Sequence, residues 1–156
     1  MRILYICTHN RCRSIMAEAI TNQLGEGRLL AASAGSQPAG QVHPDSLRSL
    51  QQADYATHGL YSKSWHEMTG FDPDLVITLC DSANQETCPL WLGDTLKVHW
   101  GLSDPSLVPG GEVAVAAAFA ATISQLQARV QALLALDKKA LAPAQLRVAI
   151  PELVNL

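Results

Sequence analysis

The opening stretch constrains the fold most. Arg2 to Cys7 (RILYIC) is an apolar run of strand length that ends in a polar turn, Thr8 to Arg13. Ser14 to Leu24 then takes helical spacing, with Ile15, Ala19 and Ile20 apolar and Gly25 as a stop. A buried strand feeding a helix through a short loop is the first half of a βαβ unit. Asp74 to Leu79 (DLVITL) is a second unbroken apolar run, as expected of a strand covered on both faces. Arg28 to Ala34 and Thr95 to His99 read as further strands. Helices are expected over His43 to Ala53, with Pro44 in the first turn, and briefly over Ser64 to Met68. A long helix is expected from Glu112 to Leu136, with Val113, Ala117, Ala120, Ile123, Leu126, Val130 and Leu133 as its buried stripe. A short last helix, Gln145 to Ile150, is expected to be broken by Pro151. Strands alternating with helices predict an α/β fold, a parallel sheet wrapped on both faces. Ligands of such sheets bind beyond the carboxyl ends of the strands, and Cys7 and Cys80 both lie at such ends.

The bulk numbers fit one domain over residues 1–156, with 48% hydrophobic residues able to form a core without disulfide or metal staples. The net charge is -3 and aromatics are 5%, with no basic stripe, which excludes nucleic acid as the expected partner. The longest apolar-rich stretch, Val113 to Ala121, is short for a membrane span, so no membrane partner is expected. No signal peptide is expected either, because the short run after Arg2 has no small-residue cleavage site. A cytoplasmic location follows as the expectation. There the four cysteines start as thiols, and a disulfide among them is catalytic rather than structural. Their C-x4-C and C-x7-C spacings do not match zinc knuckles, so neither a metal nor any other cofactor is expected.

The loop Cys7-Thr8-His9-Asn10-Arg11-Cys12-Arg13-Ser14 carries the chemistry. A cysteine, five residues and an arginine between a strand and a helix can curl so that backbone N–H groups face inward as a nest for an anion. The helix beginning near Arg13 adds its positive end, and Arg13 can grip two oxygens with its planar fork. The same field is expected to lower the pKa of Cys7 and favour thiolate, with the Ser14 hydroxyl donating to it. Taken alone, C-x5-R suits a buried small hydrophobe at a strand end equally well. The placement of Asn10 to brace the loop and of Ser14 directly after Arg13 favours an oxyanion site made of residues 8 to 14.

CTHNRCRS followed by Ile15-Met16-Ala17-Glu18, the Ser33-Ala34-Gly35 after the second strand, and the Asp104-Pro105 pair resemble the low-molecular-weight protein tyrosine phosphatases and the arsenate reductases built on the same fold. The resemblance implies a three-layer α/β sandwich around a four-stranded parallel sheet of flavodoxin-like topology. It implies Cys7 as nucleophile, Arg13 as oxyanion clamp and Asp104 as general acid. Other residues separate the two branches. VITLC ending at Cys80, then Cys88-Pro89, His99-Trp100-Gly101-Leu102 and Asp104-Pro105 resemble the arsenate reductases specifically. The phosphatases usually carry an aromatic residue after the Asp-Pro pair, where this chain has Ser106.

The resemblance implies a relay. Arsenate, with phosphate or sulfate as mimics, is attacked by Cys7. Cys80 then attacks Cys7, and Cys88 moves the disulfide to Cys80–Cys88 for reduction by thioredoxin. The segment between these two cysteines is polar and reads as a flexible loop, one residue longer than in the thioredoxin-coupled relatives, which leaves glutaredoxin with glutathione as the competing reductant. Cys12 has no required part. His9 stands where many relatives have glycine, and a positive φ there would carry strain. Some reductases hold potassium with residues matching Asn10, Glu18, Ser33 and an aspartate. The aspartate position falls on Lys63, whose ammonium group can replace the cation, so no potassium requirement is expected. The alternatives to arsenate reductase are a low-molecular-weight phosphatase and a non-catalytic oxyanion or redox sensor.

Overall fold

The structure, a computed structural model, describes residues 1–85, 89–137 and 143–153. Strands β1 (Arg2–Ile6), β2 (Leu30–Ala34), β3 (Leu75–Thr78) and β4 (Leu96–His99) form one sheet in the order β2-β1-β3-β4, with every pair parallel. Helices are α1 (Arg13–Gly25), α2 (Pro44–Gln52), α3 (Asp81–Gln85), α4 (Gly111–Asp137) and α5 (Pro143–Glu152). The expected strands and long helices are all present with ends shifted by a few residues, and Trp65–Met68 is a single 3-10 turn.

β1 and β3 are central. Ile3, Leu4, Tyr5, Ile6, Val76 and Ile77 have no solvent exposure, so both faces of the sheet are covered, as unbroken apolar runs require. The chain leaves β1 in one direction to β2 and returns past it to β3. The crevice where that order reverses lies at the carboxyl ends of β1 and β3, which places Cys7 and Cys80 side by side.

Three expectations are corrected. The segment after Cys80 is not a plain loop, since Asp81–Gln85 forms α3. Pro151 does not end the last helix, and α5 carries it inside its final turn, next to the buried Ile150. The stripe of α4 is also offset at its start. Val113 is 84% exposed and Ala117 and Ala120 face solvent, whereas Phe119, Thr122, Ile123, Leu126, Val130 and Leu133 are buried. Phe119 sets the register because it is the large apolar residue of the first turns, and alanine has too little surface to compete. By length and composition Gly111–Leu136 would suffice to cross a membrane. In the fold it packs against α1 and α2 as a helix of the core.

Candidate active site

The loop after β1 is shaped from outside. The carbonyls of Thr8, His9 and Arg11 accept hydrogen bonds from the backbone N–H groups of Gln37 (2.9 Å), Ala39 (2.9 Å) and His43 (3.0 Å). In a planar trans peptide the N–H of the next residue points the opposite way. The N–H groups of His9, Asn10 and Cys12 therefore face away from those partners, the orientation that an anion nest requires. The chain turns at Asn10, with φ of 43°, not at His9, which has no positive φ. Asparagine tolerates this left-handed conformation better than most residues. Its side chain is fully buried and tied on three sides, donating to Ser14 Oγ (2.8 Å) and Ser33 Oγ (2.9 Å) and accepting from the Lys63 N–H (2.8 Å). Gly35 backs the loop so closely that a Cβ there would lie 2.5 Å from the Thr8 carbonyl oxygen and 2.9 Å from that of Cys7.

Cys7 Sγ lies 2.9 Å from Ser14 Oγ. Ser14 Oγ also accepts from Asn10, and in its bond with the sulfur either atom can be the donor. The direction of the Cys7 pKa shift differs from the expectation. Burial pushes the Cys7 thiol above its ordinary value, outweighing the Ser14 hydrogen bonds and the Arg13 charge, with Cys80 adding to the rise. Arg13, whose charge lowers it, is itself paired.

That pairing is with Asp104. Arg13 Nη2 donates to Asp104 Oδ2 at 3.0 Å, and Nη1 donates to the Leu102 carbonyl at 2.8 Å. Arg13 Nε is buried with no hydrogen-bond partner among the described residues. Asp104 Oδ1 accepts from the Ser106 N–H (2.9 Å) and the Ser106 hydroxyl (2.6 Å). Burial raises the Asp104 carboxyl, but Ser106, Arg13 and Arg11 outweigh it and hold it below its ordinary value. Ser106 thus fixes the Asp104 carboxylate from the position where the resemblance to phosphatases leads one to expect an aromatic. Sequence reasoning missed this role, although a serine two residues after aspartate is the signature of a local side-chain cap. Arg11 donates to Ser106 Oγ at 3.3 Å.

Cys7, Thr8, His9, Arg11, Cys12, Arg13, Cys80 and Asp104 line one cavity of about 400 Å³. Cys80 Sγ accepts from the Thr8 N–H and the Ala83 N–H, both at 3.4 Å, and lies 3.5 Å from Thr8 Oγ1. Cys7, Cys12 and Cys80 are free, buried cysteines. Cys12 is pushed up to about 11 by burial. Cys88, expected as the third thiol, lies outside the described residues.

Lys63 occupies the position expected of a cation. Its Nζ, 4% exposed, donates to Glu18 Oε2 and the Tyr61 carbonyl, each at 3.2 Å, and sits 4.4 Å over the Tyr61 ring. Ser33 donates to the same Glu18 oxygen. With an ammonium group seated on the carboxylate, a potassium ion does not fit these residues. Among the described residues no group of three or more His, Cys, Asp or Glu side chains could hold a metal.

Comparison with known proteins matches residues 2–145 to the low molecular weight phosphotyrosine protein phosphatase family. An arsenate reductase of Staphylococcus aureus is 36% identical over 105 residues, covering 67% of this chain and 78% of that protein. The glutaredoxin arsenate reductase of Synechocystis sp. is 29% identical over 104 residues, covering 67% and 78%. A solved arsenate reductase in its phosphate binding state superimposes with a TM-score of 0.71 at 28% identity, over 86% of this chain and 97% of that one. A low molecular weight protein tyrosine phosphatase from T. tengcongensis, 22% identical with a TM-score of 0.70 over 87% and 99% of the two chains, shares the fold.

Proposed function

The chain belongs to the low molecular weight phosphotyrosine protein phosphatase family, and from that membership we propose that it reduces arsenate to arsenite through a relay of cysteine thiols. The observation that carries this reading over plain phosphatase chemistry is Cys80, which is held by Thr8 on the rim of the Cys7 loop and inside the same cavity. Hydrolysis needs no second thiol there. A reduction does.

Arsenate enters the nest and takes the Arg13 fork from Asp104. Asp104, left beside new negative charge without its counterion, takes up a proton. The Cys7 thiol passes its proton to an arsenate oxygen as the sulfur attacks arsenic, stabilised by the Ser14 hydroxyl. Asp104 protonates the departing oxygen, so one arsenate hydroxyl and one proton leave as water and a sulfur–arsenic bond remains. Cys80 then attacks Cys7 Sγ. A disulfide forms, the sulfur–arsenic bond breaks, and its electron pair stays on arsenic, which falls from the +5 to the +3 state and leaves as arsenite. Cys88 attacks Cys80 and frees Cys7. The Cys80–Cys88 disulfide is then reduced by thioredoxin, with glutaredoxin and glutathione as the competing donor, in the reducing cytoplasm.

The test is arsenate-dependent NADPH oxidation, coupled through thioredoxin and its reductase and, in parallel, through glutathione, glutaredoxin and glutathione reductase. Reduction by the wild type that disappears in Cys80→Ser is expected. Loss in Cys88→Ser with thioredoxin but not with glutaredoxin would assign the donor. Aryl-phosphatase turnover without arsenate reduction would replace this reading with the phosphatase.

A further inference from the structure

His99 and Asp81 have no part in the chemistry above, yet both touch the segment that carries Cys80. Asp81 directly follows Cys80, opens α3 and lines the Cys7 cavity. His99 ends β4 opposite Thr78 of β3. Its Nδ1 lies 2.9 Å from Thr78 Oγ1, which anchors the ring to the sheet, and its Nε2 lies 3.1 Å from Asp81 Oδ1. Opposite a carboxylate, Nε2 carries the hydrogen. The space for this contact is made by Gly101, where a Cβ would stand 2.9 Å from His99 Nε2 and 3.6 Å from Asp81 Oδ1.

We propose that the His99–Asp81 pair is a latch that fastens the first turn of α3 to the sheet and so positions Cys80 for attack on Cys7. The proposal rests on the relay described above. Cys80 Sγ takes its place by accepting from the Ala83 N–H of α3 and the Thr8 N–H of the loop. The sheet fixes Thr78 and His99, and Asp81 of α3 reaches His99. The strength of the pair suits a contact that must open in every cycle. Asp81 is 86% exposed, and exposed pairs contribute little. A latch of that size shifts a local equilibrium by about threefold to fivefold, enough to bias Cys80 toward Cys7 without trapping it there. His99 and Asp81 are thus positioning residues.

The experiment compares wild type, Asp81→Ala, His99→Ala, the double variant and Gly101→Ala, all with reduced cysteines. Peptide-resolved alkylation of Cys80 by iodoacetamide under native conditions reads the latch directly. Cys80, 6% exposed, is expected to react about threefold to fivefold faster in each single variant. The double variant is expected to react no faster than either single one, because the two side chains act as one unit. The burst of arsenite in a single turnover without reductant is expected to slow by a similar factor, with KM for arsenate unchanged. Unchanged Cys80 alkylation in Asp81→Ala, or additive effects in the double variant, overturns the latch even if arsenite forms normally. If the alkylation pattern holds but the wild type releases no arsenite, the latch stands and the reductase reading falls. Asp81 is a surface residue whose loss leaves the core intact, so this variant keeps the test decisive if His99→Ala folds poorly.

Discussion

Ser14 has one hydroxyl and two neighbours that depend on it. It accepts from Asn10 at 2.8 Å and lies 2.9 Å from Cys7 Sγ, to which it can donate as the sulfur ionises. Ser14→Ala removes the donor to the attacking sulfur and strands a buried amide hydrogen. A hydrogen bond to a charged group contributes about 1.5–3 kcal/mol, so kcat for arsenate reduction is expected to fall roughly 10- to 100-fold. KM should hold, since the nest and Arg13 are untouched, and steady-state kinetics in the coupled assay separate the two. Lys63 gives a second prediction. Its ammonium group fills the space beside Glu18, so activity is expected to be equal in potassium and sodium chloride, and clear stimulation by potassium would contradict this. Lys63→Met leaves Glu18 without its charged partner, with Ser33 still donating to it, and is expected to lower stability by about 3 kcal/mol in urea titration, as when one member of a buried pair is removed. Cys7, Arg13, Ser14 and Asp104 were legible in the sequence as residue types at telling spacings. Their resting states were not. That Arg13 holds Asp104 before any oxyanion arrives follows from a contact between residues 91 positions apart, and that the Cys7 thiol is raised follows from its burial.

At the level of elements, strands and long helices were legible because burial on both faces leaves an apolar run. The short helix α3 was not, since Asp81-Ser82-Ala83-Asn84-Gln85 has no apolar period, and its first turn is held by Cys80 accepting from the Ala83 N–H. The wedge between β2 and the loop was likewise hidden. Ser33-Ala34-Gly35 looked like a family signature, whereas its physical content is that Gly35 lets the Thr8 and Cys7 carbonyls approach. Gly35 takes no positive φ, so the need is for space alone. Gly35→Ala would place a methyl 2.5 Å from a backbone oxygen that cannot yield without moving the nest. Overpacking of this kind costs about 1–3 kcal/mol. The functional loss is expected to be larger than the stability loss, because N–H groups displaced by a fraction of an ångström no longer converge on the anion. The check is the rise in melting temperature on adding phosphate or arsenate, expected for wild type and lost in Gly35→Ala.

For the whole molecule, the residues of the proposed site also bear on the pH dependence of stability. Asp104 is held below its ordinary value in the folded state, so its contribution is present above the unfolded carboxylate pKa and disappears as pH falls through the lowered one. Cys7 and Cys12 are shifted the other way. A thiol raised by folding contributes fully below the unfolded thiol pKa, and the contribution is lost as pH rises through the folded value. For Cys12 that window runs from 9.0 to about 11, which corresponds to about 3 kcal/mol at most. Stability is therefore expected to be flat through neutrality and to fall on both sides, on the alkaline side because two buried thiols and then the buried Tyr5 hydroxyl must ionise. Cys12→Ala isolates one of them. At pH 7 the variant is expected to be slightly less stable than wild type, since a buried side chain that meets Ser46 is trimmed. Between pH 9 and 11 the gap should close, because the variant has one buried thiol fewer to ionise. Urea midpoints at pH 7, 9 and 10.5 read this directly, and a gap that stays constant across the series would show that Cys12 ionises as freely in the folded chain as in the unfolded one.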